Sequence, residues 1–169
     1  MKVSQATYEQ MNNLLQKSFE CNAIADNLAY NIDYMRYPNI GNIYHHSYAH
    51  AFPAFADQIS PVLIELNARP VRIGLPDHTE EYRSLYDIFI DNDKMAEMYR
   101  QEIKKTIEIA EINDDYEVKI MMENFLTEFL PYLKQADVWR DKAEQYRDCP
   151  EEFDVHFETL TTFIEVVKE

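Results

Sequence analysis

Three of the five histidines of the 169-residue chain, His45, His46 and His50, fall in the stretch NIYHHSYAHAFPAFADQISPVLIELNARP, where Asp57 and Glu65 follow them. Imidazole and carboxylate together are suitable donors for Fe(II), with coordination positions left open for an oxidant. At about 100° per residue, His46, His50 and Asp57 lie within roughly 40° of one another on a helix. Tyr48, Phe52, Phe55, Ile59, Val62 and Leu66 gather on the opposite side. The apolar side must face a core, so the His/His/Asp stripe points away from it. In a lone subunit that stripe is a solvated polar face. It holds a metal ion well only where a second subunit covers it.

Other metal chemistries are less well supplied. Di-iron bundles carry Glu-x-x-His on two helices and a lone Glu on each of the other two. Here Asn42, Ile43, Ser47, Leu75 and Phe153 stand three residues before the five histidines, so the motif is absent. A four-carboxylate core would have to draw on glutamates such as Glu97, Glu102, Glu123 and Glu128, which by default face solvent. Cys21 and Cys149 match no Cys-x-x-Cys spacing. His78 and His156 are expected to be surface or packing residues.

The elements that must carry these residues are helices. Only two glycines occur, Gly41 and Gly74, too few for a hairpin-rich fold, and 46% of the chain is hydrophobic, enough for one sizeable core. The formal net charge of −15 repels phosphate backbones, so no direct nucleic-acid partner is expected. No apolar leader or membrane-length run is present, which predicts a cytoplasmic protein with no membrane partner.

A first helix is expected from Ser4 or Thr7 to just before Pro38, with Tyr8, Met11, Leu15, Ile24, Leu28, Ile32 and Met35 as its apolar stripe. Gly41 is expected to let the chain turn into a second helix over 42–67. A connection rich in Pro and Gly leads to a short helix, TEEYRSLYDIF, capped by Thr79. Asp91 is expected to cap a third long helix, and a fourth runs over 115–147 with a kink at Pro131. Pro150 opens a last helix over 150–169. Residues 1–147 thus form a four-helix bundle and 148–169 a C-terminal helix packed on the same domain. The long crossover between the second and third helices makes the topology ferritin-like. The fold class is all-α.

The chain resembles the Dps-type mini-ferritins, ferritin-like proteins with a short helix in that crossover. The resemblance covers nearly all of 1–147. It rests on TEEYRSLYDIF in the crossover, on His46-x-x-x-His50 where the family has His-x-x-x-Asp, and on DQISP over 57–61 where it has Asp-x-x-x-Glu. Pro61 replaces the final Glu, with Glu65 one turn beyond, and Asp33-Tyr34 occupies the place of the family's His-Trp. The resemblance implies an iron-binding protein that oxidises and sequesters iron at a site between two-fold-related subunits. Asp33 would come from one subunit; His46, His50, Asp57 and Glu65 would come from the other. Self-association would then run through the second helix. The alternative is a ferritin-like bundle without metal chemistry, acting as a dimeric scaffold or stress protein. A carboxylate-bridged di-metal oxidase is the third reading.

Overall fold

The computed structural model describes residues 1–167 and is all-helical among them. Its elements are α1 (Gln5–Tyr34), α2 (Pro38–Ile43), a π-helical turn (Tyr44–Ala49), α3 (Ala51–Glu65), α4 (Leu85–Ile112), α5 (Tyr116–Gln145) and α6 (Pro150–His156). The segments α2, π turn and α3 follow one another without a loop and together form the bundle's second helix. α1 packs on α3 and α4, and α4 packs on α5. None of the helices among the described residues is long and apolar enough to cross a membrane.

Caps explain where the helices begin. The Ser4 hydroxyl accepts the Thr7 N–H at 3.2 Å and opens α1. Asp115, expected from the sequence to cap the fourth helix, turns its carboxylate to Ser4 instead and accepts that hydroxyl at 2.7 Å. The turn after α1 is made by Arg36, at φ 67°, and not by Gly41. Pro38 then occupies the first position of α2, where its missing N–H is harmless. Gly41 lies inside α2 because the Asp33 carboxylate occupies the space a Cβ would need.

Two expected helices differ. The separate crossover helix over 79–89 is absent: residues 68–84 are irregular, and Leu85–Phe89 form the first turn of α4. No Gly or Pro interrupts 85–112, and Ser84, not Asp91, caps the helix by accepting the Asp87 N–H at 3.1 Å. The crossover is instead a strap fastened to α1. Asn12 accepts the Val71 N–H at 2.8 Å, Gln16 accepts that of Ile73 at 3.1 Å, and Asn31 accepts that of Tyr82 at 3.2 Å. Asn27 donates to the Glu80 carbonyl at 3.0 Å.

The last helix is also shorter than expected and ends at His156. Side chains of α5 take the hydrogen bonds that a longer helix would need. Gln135 donates to the Leu160 carbonyl at 3.0 Å and accepts the Phe163 N–H at 2.9 Å. The remainder of the expected helix, residues 168 and 169, lies outside the described residues.

The core is aromatic. Tyr44, Tyr48, Phe52, Phe89, Tyr99, Phe129 and Trp139 are all fully buried. Trp139 stacks on Phe157 at 5.0 Å and donates its indole N–H to Thr161 at 3.2 Å, which fastens the C-terminal segment over α5.

Candidate metal site

The π turn sets the geometry of the histidines. The His50 N–H reaches back five residues to the His45 carbonyl at 3.1 Å, where an α-helix would bond four residues back. Pro53 helps to explain why the ladder shifts here. It has no N–H to give to the Ala49 carbonyl four residues earlier, and Asn22 on α1 takes that carbonyl at 3.1 Å. With the wider turn, residues five apart stack on one face, so His45 and His50 come together. In an unbroken α-helix His45 sits about 100° away from His46. This is the residue that the helical-wheel reading misses.

The outcome is a cluster of three imidazoles. Ring centroids lie 5.0 Å apart for His45 and His46, 4.7 Å for His45 and His50, and 5.2 Å for His46 and His50. α1 adds a carboxylate: Asp26 Oδ1 lies 3.6 Å from His45 Nε2, longer than a hydrogen bond. That oxygen is buried and has no hydrogen-bond partner. Burial raises the Asp26 pKa above its ordinary value, and His45 and His50 oppose the rise. Tyr30 sets its ring edge-on to His45 at 6.1 Å, and both Tyr30 and Tyr34, one turn further along α1, are exposed.

The predicted ligands divide into two sets. His46 and His50 belong to the cluster. Asp57 is exposed seven residues beyond His50, about 10 Å along the axis. Glu65 is exposed at the end of α3, about 22 Å from His50 by the same rise. Asp33 is exposed at the end of α1, over Gly41. Within one chain these three carboxylates do not join the histidines in a group that could hold an ion as they stand. Among the described residues, no three His, Cys, Asp or Glu side chains converge tightly enough to hold an ion as they stand. The imidazoles share a face, but His46 stacks on His45 and His50 meets both edge-on, so side-chain rotation must aim them.

The bundle interior has no comparable set. Glu123 and Glu128 are exposed, and Glu102 is engaged by the Gln10 amide at 2.8 Å. Of the carboxylates among the described residues, only Asp115 and Asp154 are buried, and both satisfy backbone N–H groups near helix starts. Aromatic rings fill the space between α3, α4 and α5, so the four-carboxylate core predicted as an alternative does not assemble. His156 is exposed, and its ring lies 6.4 Å from that of Tyr146.

No protein-family profile matches the sequence, and no curated protein sequence matches it. Its fold does match solved structures. Two structures of an open pore ferritin from the hyperthermophilic archaeon Archaeoglobus fulgidus superpose with TM-scores of 0.87 and 0.86, at 13% and 12% identity. The first match covers 94% of this chain and 97% of that one; the second covers 95% and 97%. The fold is therefore that of a ferritin-like bundle over almost its whole length.

Proposed function

We propose that the protein is an iron-handling ferritin-like bundle that takes Fe(II) as its substrate on the outer face of α1 and the π turn. The observation that carries this reading is the cluster of His45, His46 and His50 beside a buried Asp26 oxygen that has no hydrogen-bond partner. Imidazole nitrogen and carboxylate oxygen suit Fe(II), and a partly exposed site keeps open positions for an oxidant. The site is incomplete in one chain. A two-fold contact with a second copy would close it, because isologous pairing makes every donor count twice. Asp57, Glu65 and Asp33, which do not join their own chain's histidines as they stand, are the carboxylates that such a partner would bring. Exposed Tyr30 and Tyr34 would supply apolar surface around the axis. An oxidant such as dioxygen at the open positions would take one electron from each Fe(II), and carboxylate donors would then hold the harder Fe(III) for sequestration.

Anaerobic Fe(II) titration of the metal-free protein, with the oligomeric state followed by light scattering, tests the proposal. One saturable class of sites in a dimer or larger assembly is expected, lost in the His46→Ala/His50→Ala variant. A monomer without saturable binding would instead favour a bundle without metal chemistry, the reading supported by the unaimed imidazoles and the aromatic core.

A further inference from the structure

We propose a second, separate metal site beneath the crossover strap, formed by His78, Met95 and Met98 and selective for a soft monovalent cation, Cu(I). The strap and α4 flank an open cleft of about 310 Å³ whose lining includes these three residues with Glu80, Tyr82, Asp91 and Lys94. His78 Nε2 is buried there and has no hydrogen-bond partner among the described residues. A buried donor or acceptor left unpaired is costly, so an orphaned imidazole nitrogen at a cleft marks a place where something else binds.

The chemistry of the surroundings selects the ligand. Met95 and Met98 are three residues apart on α4 and therefore share a face. The hard donor nearest them is already committed: Asp91 accepts the Tyr82 hydroxyl at 2.6 Å and lies 4.0 Å from the Lys94 ammonium. Besides the exposed Glu80, one imidazole and two thioethers line the cleft, and thioether ligands select Cu(I) over the hard divalent ions. The imidazole is presented by a fixed backbone. Asn27 and Asn31 both donate to the Glu80 carbonyl, at 3.0 and 3.2 Å, two residues after His78. His78 is thus assigned a ligand role that its position in the sequence does not suggest.

Silver(I), a redox-stable probe of the same charge and softness, tests the site in the full chain carrying Cys149→Ser, so that the partly exposed thiol cannot capture the ion. With methyl-labelled methionine, one equivalent of Ag(I) is expected to shift two of the seven methionine resonances, those of Met95 and Met98. Met95→Leu/Met98→Leu, which preserves volume and apolarity, is expected to weaken Ag(I) binding at least about tenfold, and His78→Ala to do the same. His46→Ala/His50→Ala is expected to leave Ag(I) binding unchanged, which separates this site from the iron site. Unshifted Met95 and Met98 resonances, or equal affinity in the double leucine and His78→Ala variants, would overturn the assignment.

Discussion

The side-chain amide of Asn22 donates to the Ala49 carbonyl at 3.1 Å, taking the acceptor that Pro53 cannot use. α1 thereby clamps the π turn at the point where its own ladder fails. Asn22→Ala leaves a buried carbonyl unpaired and is expected to cost about 1–3 kcal/mol. Urea unfolding measures this. An unchanged midpoint would show that the turn needs no clamp.

The three imidazoles are expected to contribute alike, although only His46 and His50 share a stripe on an α-helical wheel. Each of His45→Ala, His46→Ala and His50→Ala should weaken Fe(II) binding by more than the roughly 10–100-fold typical of losing an outer-shell partner. Full affinity in His45→Ala would mean that the π turn does not recruit this residue.

Asp26→Asn separates stability from binding. Burial raises the folded-state pKa of Asp26 above 3.8, so its ionised form is less favourable in the folded chain than in the unfolded one. That penalty is present above the raised folded-state pKa and fades as the pH falls towards 3.8. The variant should therefore be at least as stable as the parent at neutral pH, with any advantage shrinking on acidification, while its Fe(II) affinity drops. Thermal unfolding across pH, paired with titration, reads both. A variant less stable at pH 7 would contradict the argument.

Phe157 covers Trp139, the only tryptophan, at 5.0 Å. Phe157→Ala should cost about 3–5 kcal/mol, as deletion of a fully buried phenylalanine does, and should red-shift the emission. Emission that stays blue would show that Thr161 and the remaining rings keep the indole dry without it.

Much of this architecture is legible in the residues. The apolar stripe of α1 and Pro38 as the limit of that helix place the first long element, and the long crossover fixes the order of the helices. Pro38 also opens α2, ahead of the start expected at 42. What local pattern does not carry are the places where a distant side chain satisfies the backbone. Thr79 has the look of a cap, yet the strap it belongs to bonds to Asn27 and Asn31, so the chain stays irregular until Ser84. The terminal helix fails for the same reason, through Gln135. At the candidate site, His46 and His50 follow from spacing alone. His45 depends on the shifted ladder and Asp26 on the packing of α1, and the only sequence signal for either is Pro53, whose missing N–H announces a disturbed ladder four residues upstream.

The strap carries one more implication, for how freely the chain can change. Asn12, Gln16, Asn27 and Asn31 hold it mainly through its peptide groups; the one strap side chain among these contacts is Arg72, 3.5 Å from Gln16. Most residues of the strap can therefore drift without loosening it, whereas an exchange of one amide on α1 unfastens the segment it holds. Variation across related chains should then be lopsided, with the four amides retained on one side of the contact and the residues between Arg69 and Glu80, His78 apart, diverging on the other.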